Sequence, residues 1–157
     1  MANVIERGVK AMVERRAQLT PSLCNWGWGN YAALVISIET AAKMRVQALM
    51  KSGEIEYAWS EALDYELGES PNFQEPDMIT PWRYNATVIV PTDDALIDRG
   101  EEIEAMGLKA MDAMHVASAE AAGCDWFLTA DKGILKKLRM LGDMRIANPV
   151  DFVMEVR

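Results

Sequence analysis

Three acidic residues in this chain have positions from which they could do chemistry together: Glu66, Asp112 and Asp131. Glu66 lies in the second turn of a predicted helix, Asp112 in the first turn of another, and Asp131 just beyond a predicted strand. Two carboxylates about 4 Å apart repel each other by about 4 kcal/mol at an effective dielectric constant of about 20. Such a group therefore takes up protons or binds a cation, and oxygen ligands suit Mg²⁺ or Mn²⁺. The pattern predicts a divalent-cation site able to support hydrolysis of a phosphodiester.

The same residues allow two other interpretations. In the first, Glu66 and Asp131 face solvent, and Asp112 only stabilises the start of its helix through the helix dipole. In the second, the acids belong to a phospho-acceptor signalling domain, which also gathers carboxylates at the ends of parallel strands. The first aspartate of the chain is Asp64, which disfavours the signalling domain.

Strands and helices alternate after residue 53, which is typical of an α/β fold with a mostly parallel sheet. In such sheets, ligands bind beyond the carboxyl ends of the strands. The predicted strands are 54–59, 86–90, 126–129 and 144–146. The predicted helices are 61–67 after a Ser60 cap, 93–106 after a Thr92 cap, 109–122, 132–141 and 150–156. Before them the pattern predicts helices over 4–13 and 31–50, and residues 68–83 are predicted to be loop or broken helix.

Composition and charge limit the class of protein. A chain of 157 residues is expected to form one domain. Its net charge of −8 argues against broad non-specific binding of nucleic acid, although an acidic pocket with a basic rim stays possible. The two cysteines suggest a reducing compartment, and the longest apolar run, 31–38, is too short to span a membrane. With charged residues throughout 1–20, no signal peptide is predicted, and we expect a cytoplasmic protein.

Two segments closely resemble the PIN-domain family of VapC-like toxins. Residues 109–119, KAMDAMHVASA, are similar to the family's Asp-Ala-Leu-His segment. Residues 125–132, DWFLTADK, are similar to its hydrophobic strand followed by Thr-x-Asp and lysine. Residues 60–66 resemble the segment that carries the family's second acid, and 148–152 resemble its last junction of strand and helix. The likeness covers about 37–157 of a single PIN-like domain over 1–157, whose residues 1–36 are atypical.

The resemblance implies a three-layer α/β/α fold with a mostly parallel sheet, and single-stranded RNA cleavage that depends on Mg²⁺ or Mn²⁺. It also implies an antitoxin partner, and we expect a homodimer. Carried over by position, Glu66, Asp112 and Asp131 are catalytic, metal-binding acids, and Thr129 holds the site through its hydroxyl. His115 is expected to pack and form a hydrogen bond in the core. The cations expected to contact phosphate, unless they only form an exposed helix face, are Lys132, Lys136, Lys137 and Arg139.

The beginning of the chain departs from the family. Its members open with a hydrophobic strand that ends in an aspartate, whereas here the acids before residue 54 are Glu6, Glu14 and Glu39. The stretch 20–25, where we expect that strand, has no carboxylate, so the opening strand is interpreted as missing or altered. Two hypotheses follow: an active ribonuclease in which the three acids suffice, with Glu39 assisting, or an inactive PIN-fold module for protein interaction or dimerisation.

Overall fold

A computed structural model of the chain describes residues 10–13, 31–69 and 76–156. It contains a six-stranded sheet in the order β3-β2-β1-β4-β6-β5. Neighbouring strands are parallel except for the antiparallel pair β5 and β6. The strands are β1 (Lys10–Val13), β2 (Glu56–Ser60), β3 (Val88–Val90), β4 (Trp126–Leu128), β5 (Met140–Leu141) and β6 (Met144–Ala147). The predicted α/β fold with a mostly parallel sheet is confirmed.

Helices cover both faces of the sheet. They are α1 (Tyr31–Ser52), α2 (Glu61–Glu69), α3 (Pro76–Tyr84), α4 (Asp94–Glu104), α5 (Ala110–Ala121), α6 (Lys132–Lys137) and α7 (Pro149–Glu155). Trp126 and Leu128 of β4 pack with apolar residues of α1 and α7, whereas Phe127 packs with those of α4 and α5. Because alternate residues of a strand point to opposite faces, this division gives three layers, α/β/α. No helix in the described ranges has the length and apolar character needed to cross a membrane.

Strand β1 corrects two predictions. Residues 10–13 were predicted to belong to a helix over 4–13, and the opening strand of the sheet was expected near 20–25 or missing. Instead, Lys10–Val13 forms the strand that pairs with β2 on one side and β4 on the other. The short sequence run Ala11-Met12-Val13 suits a central strand of a parallel sheet, where an alternating pattern is not required. The conformation of this segment is therefore determined by backbone pairing with β2 and β4 and not by helical periodicity. The opening strand is present in the described residues.

Most of helix α3 lies within the range 68–83, which was predicted to be loop or broken helix. Pro76 is its first residue, a position where the missing N–H costs nothing. Pro81 lies inside the helix, where proline is normally unfavourable. The side chain of Trp82 packs against buried residues of β2 and α2. This tertiary contact stabilises a helix that local propensity disfavours.

Two helix ends also differ from the prediction. Asp93, not Thr92, caps α4, because its side chain accepts a hydrogen bond from the N–H of Leu96 at 2.8 Å. Helix α6 ends at Lys137 rather than continuing to residue 141, and Met140–Leu141 forms β5. Gly142 has a φ of 59°, which allows the tight turn that joins β5 to the antiparallel β6.

Tyr57 joins β2 to α3 through its hydroxyl, which donates to the carbonyl oxygen of Trp82 at 2.6 Å. We expect Tyr57→Phe to lower the free energy of unfolding by about 0.5–1.5 kcal/mol at neutral pH. Burial raises the pKa of the Tyr57 phenol above its ordinary value of 10.0. The stability linked to the neutral phenol is thus complete below pH 10 and is lost as the pH rises through the folded pKa. Urea unfolding should show the gap between the two proteins narrowing in alkali; a gap that widens there would contradict the assignment.

Candidate functional site

The carboxyl ends of β1, β2, β4 and β6 lie along one side of the sheet, which we call the carboxyl edge. Val13 of β1 is level with Leu128 of β4, and Leu128 is level with Ala147 of β6. The residues at or just after these strand ends are small and polar: Ser60, Thr129 and Asn148. Because ligands of parallel sheets bind beyond the carboxyl ends of the strands, this edge is the candidate site.

Thr129 and Asp131 form one hydrogen-bonded turn after β4. Thr129 is fully buried, and its Oγ1 accepts a hydrogen bond from the backbone N–H of Asp131 at 3.0 Å. Oδ1 of Asp131 accepts from the N–H groups of Gly133 at 2.7 Å and Ile134 at 3.2 Å, so it caps α6. The Thr129 hydroxyl therefore fixes the backbone that carries Asp131, and the cap fixes the carboxylate.

This geometry predicts that two substitutions at Asp131 will distinguish the effect of its helix cap on stability from the effect of its negative charge. Asp131→Ala is expected to lower the free energy of unfolding by about 0.5–2 kcal/mol, because the first turn of α6 loses its acceptor. Asp131→Asn should stay close to wild type, since asparagine caps helices as well as aspartate does. Equilibrium denaturation of the three proteins measures both effects. If alanine and asparagine were equally destabilising, the cap would not be what Asp131 contributes.

Glu66 and His115 form a pair between α2 and α5. The Nε2 atom of His115 lies 2.6 Å from Oε2 of Glu66, and the histidine side chain is only 3% exposed. His115 is the single histidine of the chain, and it is packed and hydrogen-bonded in the core as predicted. The pairing with Glu66 was not predicted. One oxygen of a proposed metal-binding acid is thus held by a protein group.

Breaking this pair should cost stability. We expect Glu66→Ala to lower the free energy of unfolding by about 1–3 kcal/mol, because the buried ring nitrogen of His115 loses its hydrogen-bond partner. Glu66→Gln keeps an oxygen acceptor at the same position of the side chain, so we expect it to retain most of the stability that Glu66→Ala loses. Glu101→Ala, at an exposed glutamate of α4, serves as the control. Chemical unfolding in which all three variants match wild type would show that the pair contributes nothing.

Asp112 lies on the same side of α5 as His115, because residues three apart in a helix are neighbours. Helix α5 contacts α2, β2 and β4, so it connects the segment of Glu66 to the segment of Asp131. In the described ranges, however, no three acidic, histidine or cysteine side chains are arranged to hold a metal ion. Taken alone, the described residues do not fit a complete cation site. The joint binding of a cation by the three predicted acids stays a prediction.

Three of the four cations predicted to contact phosphate lie in different surroundings, and the fourth, Lys136, is exposed on α6. Nζ of Lys137 donates to the carbonyl oxygen of Gly107 at 2.6 Å. Arg139 lines an open groove beside β5 and β6 together with Arg145. Lys132 lines a different cavity, at the carboxyl edge, together with Lys43 of α1. Sequence reasoning missed Lys43 because nothing in the local pattern of α1 indicates which helix face meets the loop after β4.

Comparisons with known proteins agree with this architecture. Residues 82–139 match the family model described as PIN domain, a range that includes Asp112, Thr129 and Asp131 but not Glu66. A solved structure of VapBC2 from Rickettsia felis, bound to a DNA fragment from their promoter, contains a similar chain. The two chains are 12% identical with a TM-score of 0.51, and the match covers 89% of this chain and 98% of that chain. At this identity the likeness shows the fold, and no curated protein matched the sequence. The predicted resemblance to the PIN-domain family is confirmed over residues 82–139, and the fold is shared with a chain of VapBC2.

Proposed function

We propose, from the PIN-domain match and the VapC-like fold, that this protein is a toxin of a toxin–antitoxin pair that cleaves single-stranded RNA with Mg²⁺ or Mn²⁺. One observation supports the proposal: the range that matches the PIN-domain model includes Asp112 on α5 and Asp131, which follows β4 at the carboxyl edge. Carboxylate oxygens are the ligands that these hard cations prefer. The order of the strands supports the proposal, because β1 and β4 are the two central strands and Asp131 follows β4.

In this proposal Glu66, Asp112 and Asp131 are the catalytic, cation-binding acids, and Thr129 holds the backbone of Asp131. A bound divalent ion lowers the pKa of water and neutralises charge that develops on a phosphodiester. Because the described residues alone do not complete such a site, the proposal requires a further ligand. The residue that follows β1 in the sequence is Glu14, which lies outside the described residues. A Glu14→Gln variant therefore belongs in the test.

The decisive experiment incubates the purified wild-type protein with a 5′-labelled single-stranded RNA in Mg²⁺, in Mn²⁺ and in EDTA. We expect cleavage with either cation and none in EDTA. If Glu14 supplies the missing ligand, Glu14→Gln should cleave far more slowly while unfolding at the same temperature as wild type. Intact RNA under both cation conditions, with a folded protein, would rule out the ribonuclease.

The second candidate is a catalytically inactive PIN-fold protein that serves as an interaction or dimerisation module. The pairing of Glu66 with His115 favours it, because this acid is already engaged within the fold. The two candidates differ in how divalent ions affect stability. A cation-binding protein gains about 2.7 kcal/mol at a hundredfold excess over the dissociation constant. An unchanged melting temperature in millimolar Mg²⁺ and Mn²⁺ would support the inactive module.

Partners are proposed on the same basis. The similar structure from Rickettsia felis is VapBC2, and we propose that this chain likewise binds an antitoxin protein. We also propose a homodimer, which light scattering of the purified chain would test. The tryptophans expected to form a dimer patch, Trp26 and Trp28, lie outside the described residues.

A further inference from the structure

A small cavity at the carboxyl edge lies between α1, the start of α6 and the start of α7. Its volume is about 70 Å³, and its polar lining consists of Glu39, Lys43, Lys132 and Asn148. We propose that this cavity, which we call the edge cavity, binds a backbone phosphate of single-stranded RNA through Lys43 and Lys132. The inference rests on the proposed function, since it concerns how the same substrate is held.

The location of the edge cavity supports this assignment. Lys132 directly follows Asp131, and Asn148 directly follows the end of β6. The two segments are neighbours because β4 and β6 pair in parallel, with Leu128 level with Ala147. A phosphate held in the cavity would therefore lie near the segment that carries Asp131. A strand of RNA that crosses the carboxyl edge would meet a cationic site next to the acidic one.

The charges in the cavity favour an anion. Two lysines face a single acid, Glu39, which lies one helical turn before Lys43 on α1. Among the described residues, neither lysine ammonium is engaged in a hydrogen bond or an ion pair. The side-chain oxygen of Asn148 already accepts a hydrogen bond from the N–H of Asp151 at 2.8 Å. The NH₂ group of the same side chain is a hydrogen-bond donor that a phosphate oxygen could use.

The chemistry of the cavity suits a phosphate group. Its two lysines supply positive charge, and its volume of about 70 Å³ leaves room for polar atoms of a ligand. Contacts to phosphate position a nucleic acid without reading its sequence. The edge cavity would thus set where the strand lies, and would not select which sequence is bound.

Two cations outside the predicted phosphate contacts provide matched controls. Arg45 and Lys51 lie on α1, the helix that carries Lys43, and both are exposed. Neither residue lines the edge cavity. Removing their charges lowers the net charge as much as removing Lys43 or Lys132. If the cavity variants lose more RNA affinity than the control variants, the loss reflects a specific site and not the overall electrostatic field of the protein.

The test measures binding of a fluorescent twelve-nucleotide oligouridylate by anisotropy, in EDTA, with the full chain. We expect Lys43→Gln and Lys132→Gln each to weaken binding by about fivefold and to reduce the salt slope by about 0.7. Arg45→Gln and Lys51→Gln should bind within about twofold of wild type, because each removes one charge that does not line the cavity. Thermal unfolding confirms that each variant is folded.

The outcomes distinguish this inference from the proposed function. If Asp112→Asn and wild type bind the RNA equally, and binding depends on Lys43 and Lys132, the edge cavity holds phosphate even if no cleavage is found. Equal losses in all four lysine and arginine variants would overturn the inference, because only diffuse charge would be acting. Wild-type binding by Lys43→Gln and Lys132→Gln, or no measurable RNA binding by the wild type, would overturn it as well.

Discussion

Asp112→Asn is expected to reduce cation-dependent RNA cleavage by about a hundredfold or more, the scale seen when one charge-stabilising group is removed from an active site. The substitution keeps the shape of the side chain and removes its negative charge. Asp112 lies on the face of α5 that carries His115, and His115 contacts the carboxylate of Glu66. Loss of charge here weakens the attraction for a divalent cation, whereas the helix itself loses at most about 1 kcal/mol of favourable dipole interaction. Rates from single-turnover cleavage of a labelled RNA measure the effect.

Asp94→Asn is the matched control for Asp112→Asn. Asp94 also lies in the first turn of a helix, α4, and its side chain is exposed. The control should cleave RNA at the wild-type rate and unfold within about 1 kcal/mol of it. If Asp112→Asn cleaved RNA as fast as Asp94→Asn, the carboxylate of Asp112 would have no part in the reaction.

Phe152→Ala is expected to have the largest effect on stability, about 3–5 kcal/mol in the free energy of unfolding. Phe152 is completely buried on α7, and its ring packs edge-on against Trp126 of β4 with centroids 5.1 Å apart. Alanine would leave a cavity in the layer formed by α1, α7 and the sheet. Because Trp126 belongs to the strand that leads into Thr129 and Asp131, we also expect looser positioning of the candidate site.

Met154→Ala on the same helix is the control for Phe152→Ala. The side chain of Met154 is 60% exposed, and its truncation should change the free energy of unfolding by about 0.5 kcal/mol or less. Urea denaturation followed by tryptophan fluorescence compares both variants with wild type. A loss below 1 kcal/mol for Phe152→Ala would contradict the packing described for α7.

The sequence predicts elements best where a long run of residues has only one reasonable interpretation. Helix α5 and strand β4 lie within one or two residues of their predicted bounds, since small and apolar residues fill each segment. Strand β1 was missed because an apolar run of three residues fits a helix or a strand, and its pairing with β2 and β4 decides between them. Helix α3 was missed because its stability depends on Trp82, whose partners lie more than ten residues away.

In the candidate site, too, the features set by local sequence could be predicted and those set by tertiary contacts could not. Spacing alone drew attention to Glu66, Asp112 and Asp131, because carboxylates near strand ends and helix starts can be found without coordinates. The contact of Glu66 with His115 spans two helices far apart in the chain, so no local pattern could indicate it. Lys43 belongs to the edge cavity only because α1 packs beside the segment after β4, which is again a tertiary fact.

The central position of β1 has a consequence for how the chain folds. Its partners on one side, Phe127 and Leu128, are more than a hundred residues further along the sequence. The two halves of the sheet, β3-β2 and β4-β6-β5, are joined in the described residues through this one early segment. Contacts between residues so distant in sequence form slowly, because a long loop must close before they stabilise anything. During synthesis, β1 can pair with β2 early, but its pairing with β4 must wait until the last third of the sequence has emerged, and the carboxyl edge near Asp131 assembles only then.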